Sequence, residues 1–477
     1  MTPSRVGVAD TELVALLELL HPGGPGRSAH VVGSGPPPSG GADIVLVEPS
    51  FGDCLGASGR RFADSVRAAA TTGALVALRA PAFRRWWCSR RLRSAGFRAE
   101  GAFLVRPPRR RARLLVPAGG DAAAYAANRL RPARRSWQRL AAAALRSQTG
   151  GLAASLAGPT LSIVAELSAS ATLEWLSFAG RAPRRREVVA FRGDGGDRRL
   201  LVFEHGVSEP MASVLVRMAA EHASAATREA PASAATAGAA VPRALGRRTL
   251  GLHDVSVETA VAGAPAVAVL ASRPRALLPT LDLVAAWLER WNLASARAVL
   301  DPYDLLEREL LGPARELDAS YCDAVAPLAE KLEAAGACEV ETHGDLTMWN
   351  VLVDVERGGL GVVDWETSRS GGLPLVDLLY AAVDARAAVD SYRDRLGAFK
   401  NCFTADGDVA GAVEAWVQRL AHVLSLTPEF VVVAFHACWL NHARNEAAQG
   451  ATDEQPFRRI VDWLLTNGTR LGQWARP

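Results

Sequence analysis

Two hydrophobic periods alternate along the first part of the chain. Ala42–Val47 and Gly73–Leu78 are short, continuous apolar runs of the kind buried on both faces of a parallel sheet. Between them Arg60–Thr72 carries a helical spacing, and Arg84–Ala95 repeats it and closes on Gly96, a residue suited to ending a helix. The order is therefore β-α-β-α. Phe103–Val105 and Arg113–Val116 flank Pro107–Arg111 and predict a hairpin with an arginine-rich turn. Helical spacing resumes over Ala122–Ser147, and Ser147–Ala154 reads as a linker.

From about residue 159 the pattern becomes one of consecutive strands. Thr172–Phe178, Glu187–Phe191 and Arg199–Phe203 are separated by turn-forming Gly180-Arg-Ala-Pro and Gly193-Asp-Gly-Gly, which predicts an antiparallel meander. A helix is expected over Glu209–Ala225, and the Ala/Ser/Thr-rich tract Ala223–Ala240 as a mobile loop. One more strand falls at Val255–Val261. The remaining helices are Leu281–Trp291, Tyr303–Leu311, Tyr321–Ala335, Ala410–Leu424, Pro428–Ala448 and Gln455–Thr466. The expected domains are 1–150, an α/β unit, and 159–477, in which a strand-rich lobe (159–265) precedes a helical lobe (266–477).

Composition narrows the class. At 477 residues the chain has room for two to four domains, and 49% hydrophobic with 22% charged residues is the balance of a globular protein. A formal charge of +4 is too small for a nucleic-acid coat, and no specific nucleic-acid partner is expected. The six cysteines are scattered, with no ligand or disulfide spacing, which points to a reducing, cytoplasmic setting. Neither a signal-peptide core nor a membrane-spanning apolar stretch is present in the sequence. Lys331 and Lys400 are the only lysines, so arginine carries nearly all the positive charge. Arginines crowd Arg84–Arg139 against few acids, chiefly Glu100 and Asp121, with Trp86, Trp87 and Trp137 among them. A solvated face explains this run; an electropositive surface for an anionic partner or a membrane is the sharper alternative.

The chemistry is concentrated in Glu341-Thr-His343-Gly344-Asp345-Leu-Thr-Met-Trp-Asn350-Val-Leu-Val-Asp354 and Gly361-Val-Val-Asp364-Trp-Glu366. A carboxylate, a carboxamide five residues later, an apolar strand and then a second carboxylate suit phosphoryl transfer. One Asp can accept a hydroxyl proton, while Asn and the other Asp offer hard oxygen donors to Mg²⁺. The same Asp-x-x-x-x-Asn interval marks kinase catalytic loops.

This segment, continued by Gly372-Leu-Pro-Leu-Val-Asp377-Leu-Leu-Tyr380, resembles the aminoglycoside phosphotransferase and choline kinase-like family. The resemblance implies an α+β fold, a two-lobed protein-kinase-like domain over about residues 160–470. It also implies ATP or GTP with Mg²⁺ as donor, and a small-molecule hydroxyl as acceptor. By position, Asp345 would be the catalytic base, Asn350 and Asp364 the metal ligands, His343 a brace for the loop and Asp377 a structural anchor. Gly180, Arg199, Glu221 and Glu258 are the nucleotide-binding candidates. His436, Trp439 and His442 resemble a helix that lines the acceptor site, although a histidine on an apolar helix is also ordinary core.

Two departures stand out. Such a kinase carries a lysine on the third strand to hold phosphates, whereas Arg199–Glu204 offers Phe203 or Glu204 there, leaving Arg198, Arg199 or Arg217 to supply the charge. A catalytically inactive binding or scaffold protein is thus the alternative. The first 150 residues resemble the second half of a class I SAM-dependent methyltransferase, a partial Rossmann-like α/β domain, with His30-Val-Val-Gly33-Ser-Gly35 a poor substitute for the glycine-rich turn. A truncated remnant that packs or recognises is the expectation, and a working methyltransferase a third possibility.

Overall fold

The computed structural model describes residues 8–32, 40–48, 56–79, 82–106, 114–117, 121–126, 160–166, 171–192, 197–207, 209–218, 229–299, 301–333, 338–354, 358–404, 406–448, 455–467 and 471. The chain forms two compact units, one of residues 1–223 and 242–260, the other of residues 224–241 and 261–477. The division does not fall at 150–159.

The reason is the sheet of the first unit. Its strands are β1 (Ala29–Val31), β2 (Ala42–Val47), β3 (Ala70–Arg79), β4 (Phe97–Arg106), β5 (Leu114–Pro117), β6 (Thr160–Glu166), β7 (Val188–Arg192), β8 (Arg198–Phe203), β9 (Pro210–Met218), β10 (Ala244–Leu250) and β11 (His253–Thr259). They hydrogen-bond in the order β1-β2-β3-β6-β4-β5-β7-β8-β9-β11-β10. β1, β2 and β3 are parallel, and every later neighbouring pair is antiparallel. β5 pairs with β7 through Leu114↔Phe191 and Leu115↔Ala190, which joins the α/β segment to the meander edge to edge. Strands that alone would leave open edges are covered in this way.

Alternation sorts the side chains. Ile44, Leu46, Leu75 and Ala77 face α1 (Val8–Leu19), whose Leu13, Leu16 and Leu17 continue into Leu20 at helical spacing. Val45, Val47, Val76 and Leu78 face the other way, against α2 (Gly56–Ala69) and α3 (Ala82–Ser94) through Phe62, Val66 and Leu92. Gly96, at φ +89°, ends α3 as the sequence predicts. A short α4 (Asp121–Tyr125) follows β5, and the rest of the expected 122–147 helix, like the Pro107–Arg111 turn, lies outside the described residues.

Three expectations are corrected. Thr172–Phe178 is not a strand: Glu174–Ala179 is a 3₁₀-helix that ends at Gly180, φ +67°, with Trp175 and Leu176 buried. Pro210–Met218 is a strand, not a helix. Its apolar positions alternate, with Ala212, Val214 and Val216 facing the α1 side. The low-complexity tract holds helix α5 (Glu229–Thr236), part of the second unit. Alanine favours helix intrinsically, and Pro231 sits in its first turn where no intrahelical donor is lost. It is tied to the unit by Trp287 Nε1 donating to Ala234 O at 3.3 Å and Trp291 Nε1 to Ser233 Oγ at 2.8 Å.

The second unit is helical around two small sheets. Its helices are α6 (Ala266–Ser272), α7 (Leu277–Ser295), α8 (Pro302–Leu306), α9 (Gly312–Leu317), α10 (Ala319–Glu333), α11 (Val376–Val389), α12 (Arg395–Phe403), α13 (Ala410–Val423), α14 (Pro428–Ala448) and α15 (Pro456–Asn467). Its strands are β12 (Ala264–Pro265), β13 (Arg297–Ala298), β14 (Cys338–Thr342), β15 (Val351–Asp354), β16 (Gly359–Val362) and β17 (Arg369–Gly372), paired as β12-β15-β16 and β13-β14-β17. α11 was not legible as a helix because Leu378–Ala385 is buried all round and shows no polar stripe.

In the first unit α1 is fixed electrostatically as well as by its leucines. Arg198, 6% exposed, places NH1 2.6 Å from Glu18 and 3.1 Å from Ala15 O, and Arg192 reaches Glu12 at 3.2 Å. Removing one partner of such a buried pair strands the other charge, which costs roughly 3–5 kcal/mol. Glu18→Ala is expected to lower the melting temperature of the protein, and Glu18→Ala combined with Arg198→Met to recover part of the loss; thermal unfolding of the three proteins checks this.

Candidate active site

The polar residues of the Glu341–Asp364 segment sit where β14 hands over to β15 and β16 to a 3₁₀ turn. β14 ends at Thr342, the loop His343–Asn350 follows, and β15 begins at Val351. Leu346 and Met348 are buried and plug the loop into the core, while Trp349 between Met348 and Asn350 is 52% exposed.

Two carboxylates on α11 hold the loop by its backbone. Asp377 Oδ2 accepts from His343 N–H at 2.7 Å and Oδ1 from Gly344 N–H at 3.0 Å. Seven residues on, Asp384 Oδ2 accepts from Met348 N–H at 2.7 Å and from the Tyr392 hydroxyl at 3.0 Å, while its Oδ1 takes Arg395 NH2 at 3.3 Å. Burial pushes both carboxyls up, and the donors around each pull back down, the His343 and Gly344 N–H groups for Asp377 and Arg395 first for Asp384. Sequence reasoning does not single out Asp384. Its only signal in the sequence is the two-turn spacing from Asp377, which puts both on one helix face.

His343 is wholly buried, and its ring spans two backbone groups. Asp345 N–H donates to Nδ1 at 3.3 Å, which makes Nε2 the protonated nitrogen, donating to Val363 O at 3.0 Å. Burial holds its pKa below the usual value, so the ring is neutral. Trp365 stacks edge-on at 4.8 Å, and Thr367 Oγ1 donates to His343 O at 2.9 Å. Gly344 is required here: it stands at φ +77°, and a Cβ would meet Thr367 O at 2.8 Å.

Asp345 and Asn350 meet across the loop. Asn350 Nδ2 donates to Asp345 Oδ2 at 3.1 Å and to Asp345 O at 2.9 Å. The Asp345 carboxyl is pushed up to about 7, first by burial, then by the charges of Asp364 and Asp384, with the Asn350 amide opposing. Asp364 stands in the left-handed region at φ +69°, ahead of the 3₁₀ turn Trp365–Thr367. Such a strained non-glycine backbone is characteristic of functional turns. Among the described residues no group of three or more His, Cys, Asp and Glu forms a metal site. Asn350 and Asp364 still fit Mg²⁺. With Nδ2 turned to Asp345, the amide presents its oxygen as donor, and the like-charge pressure of Asp364 on Asp345 is what a divalent cation relieves.

The remaining sequence candidates fall in varied settings. In the first unit Gly180 caps the 3₁₀-helix rather than turning between two strands; Arg199 lies on β8 and Glu258 on β11, both partly buried. Glu221 lies outside the described residues. Arg198 is taken up by α1. Because 209–218 is a strand, the third strand of the meander is β9, and its basic residue is Arg217, 2.6 Å from Asp197. In the arginine-rich segment Arg90 and Arg93 are exposed on α3 beside the half-exposed Trp86, whereas Arg109–Arg111, Arg113 and Arg129–Arg139, with Trp137, lie outside the described residues.

On α14 of the second unit, Trp439 is wholly buried, edge-on to Phe399 at 5.1 Å and Phe403 at 5.7 Å. His442 is sandwiched between Tyr380 at 3.8 Å and Phe457 at 5.0 Å. Burial pushes its pKa down to about 3, and that of His436 to about 4. Trp439 belongs to the core, whereas His436 and His442 are partly exposed, and His436 Nε2 and Trp439 Nε1 have no hydrogen-bond partner among the described residues.

Residues 185–411 match the phosphotransferase enzyme family. The match supports a kinase-type enzyme with a hydroxyl acceptor; it includes the whole His343–Asn350 loop, Asp364 and Asp377, and begins after the α/β segment. No curated protein matches the chain. Among solved structures, the aminoglycoside phosphotransferase APH(3'')-Id of Streptomyces rimosus, in complex with ADP and streptomycin, is 17% identical, covering 52% of this chain and 91% of that one at a TM-score of 0.33. A thermostable mutant of aminoglycoside phosphotransferase APH(4)-Ia, with AMP-PNP and hygromycin B, is 13% identical, covering 59% and 94% at 0.38. Plasmodium vivax ethanolamine kinase is 12% identical, covering 59% and 81% at 0.34. No helix among the described residues is long and apolar enough to cross a membrane.

Gly344→Ala is expected to lower both the melting temperature and any phosphotransferase activity, since the added Cβ meets strained backbone and Thr367 O together; calorimetry and a transfer assay measure the two. His436→Leu separates core from site. The native imidazole stays neutral to about pH 4 but protonates near 6.5 in the unfolded chain, so the unfolded state binds more protons between those values. The stability of the leucine variant relative to wild type is therefore expected to rise as pH falls from 6.5 toward 4, by up to about 3 kcal/mol, when unfolding is followed across that range.

Proposed function

We propose that the chain transfers the γ-phosphoryl group of a Mg²⁺-bound nucleoside triphosphate, ATP or GTP, to a hydroxyl of a small molecule. The observation that carries this reading is the Asp345 carboxyl group, 3.1 Å from Asn350 on a loop that α11 pins by three backbone N–H groups. A base must be fixed in place, and the backbone hydrogen bonds of residues 343, 344 and 348 with the Asn350 contact fix Asp345. Asp345 accepts the proton of the acceptor hydroxyl as its oxygen bonds to the γ-phosphorus, and the bond from that phosphorus to the β,γ-bridging oxygen breaks, releasing the nucleoside diphosphate. Mg²⁺ would neutralise charge on the phosphates; Asn350 and Asp364 are the residues that would hold it. His343, neutral and doubly hydrogen-bonded, positions the backbone of Asp345.

One second reading is a catalytically inactive binding protein, favoured because the basic residue of the third meander strand, Arg217, is engaged by Asp197 within the first unit. The α/β segment would pack against or recognise a partner in either case. Calorimetry of ATP binding with and without Mg²⁺ separates the two. Metal-dependent binding that Asp364→Ala abolishes, with transfer lost in Asp345→Asn, is the expected result; no binding at millimolar ATP would leave the scaffold reading.

A further inference from the structure

The turn that joins α11 to α12 is built at a cost. α11 ends with Ser391 N–H donating to Ala388 O at 3.0 Å and Tyr392 N–H reaching back to Ala387 O at 2.8 Å. Glycine suits the left-handed position of such a helix end, yet Ser391 and Tyr392 both take it, at φ +60° and +58°. Left-handed backbone at two successive non-glycine residues persists only where the surroundings hold it. The Tyr392 hydroxyl so placed donates to Oδ2 of Asp384 at 3.0 Å, the same oxygen that accepts the Met348 N–H at 2.7 Å. Arg395, the first residue of α12, completes the surroundings of that carboxylate. Its NH2 donates to Oδ1 at 3.3 Å, and its guanidinium lies over the rings of Phe457 at 4.7 Å and Tyr392 at 5.4 Å. Phe457 is itself fixed at the start of α15, where Glu446 Oε2 accepts its N–H at 3.1 Å.

We propose that Tyr392 and Arg395 are positioning residues for the 343–350 loop, which they set through Asp384 although neither lies on it. Asp384 is 1% exposed, and a buried carboxylate without donors around it binds a proton and becomes a weaker acceptor. The two donors therefore decide how firmly Asp384 grips Met348. Asp377 pins the front of the loop through His343 and Gly344, and the Met348 bond pins its back, two residues before Asn350. Asp345 lies between the two pins. With the back pin loosened, the Asp345–Asn350 contact loses its fixed geometry, and a displacement of about 1 Å at a base is enough to slow transfer severely. The effect on turnover rests on the phosphotransferase reading; the effect on the loop does not.

The test compares the full-length wild type with Tyr392→Phe, Arg395→Met and Asp384→Asn by two readouts, amide hydrogen exchange and Mg²⁺-dependent ATP turnover with water as the acceptor. Exchange in peptides covering 343–350 is expected to quicken about tenfold in Arg395→Met, the factor that one charge-assisted hydrogen bond is worth, and by less in Tyr392→Phe, while α14 keeps its wild-type protection. The kcat of Arg395→Met should fall about tenfold with the KM for ATP within about twofold of wild type. A merely structural role would lower the amount of folded protein and leave both loop exchange and the kcat of the folded enzyme unmoved. Combining Arg395→Met with Asp384→Asn should add little to either change alone, because both act on one carboxylate. If Arg395→Met does not fold, Tyr392→Phe, which removes a single hydroxyl, decides by the same two readouts. Loop exchange unchanged in a folded variant, or quickened equally in α14, would overturn the positioning role and leave the phosphotransferase reading standing. Quickened loop exchange in a protein whose wild type neither binds nor turns over ATP with Mg²⁺ would uphold the anchoring of the loop and overturn that reading.

Discussion

The second unit is organised by two aspartates one helix face apart. Asp377 and Asp384 project from α11 and capture the backbone of residues 343, 344 and 348. An irregular loop next to the core leaves N–H groups that no ladder can satisfy, and each such group buried unpaired would cost a few kcal/mol. Carboxylates are the strongest acceptors available for them, and charge-assisted bonds make the loop stiff rather than merely satisfied. Everything chemical then follows from that stiffness: the neutral ring of His343 between Asp345 N and Val363 O, the Asp345–Asn350 contact, and the outward turn of Trp349. Burying two further negative charges near Asp345 has an electrostatic consequence as well, since they add to the pressure that raises its proton affinity.

Arginine takes structural work that other chains divide between lysine and neutral polar residues. Arg185 donates from Nε to Leu20 O at 2.7 Å and Arg198 grips Glu18, so that α1 is stapled to its sheet by guanidinium forks. In the second unit a wholly buried Glu309, in the π-turn between α8 and α9, holds Arg308 at 3.0 Å and Arg369 at 2.5 Å. Arg395 lies over Phe457 and Tyr392 while its NH2 reaches Asp384. A planar cation with fixed donor directions can satisfy a carboxylate and stack on a ring at once, which a flexible ammonium cannot.

Much of the local structure was legible. The Ala42–Val47 run is β2 residue for residue, Pro428–Ala448 is α14 to the same bounds, and Gly96 ends α3 because only glycine takes its positive φ without strain. Strand and helix were confused where both patterns suit the same residues. Pro210–Met218 holds small and branched residues whose spacing admits either period, and pairing with β8 and β11 decided for strand. The tract Ala223–Ala240 shows the opposite failure. Its composition suggests no structure, yet two tryptophans on α7 cap and cover the helix Glu229–Thr236.

By itself the sequence determined the polar residues of the 343–350 loop and the intervals between them, because an Asp, an Asn and a second Asp around an apolar strand are local facts of covalent order. It also determined most elements whose burial is one-sided, where hydrophobic period records the face. What only the tertiary structure decided is long-range. It decided that β5 meets β7, so that one sheet runs through the expected boundary at 150–159, and that Asp384 reaches back to Met348 across 36 residues. It also decided that Trp439 packs into the core while His436 and His442 on the same helix stay partly exposed. Such pairings depend on which surfaces find each other after the chain has closed on itself, and no spacing along the chain encodes the partner of a side chain that must cross that distance.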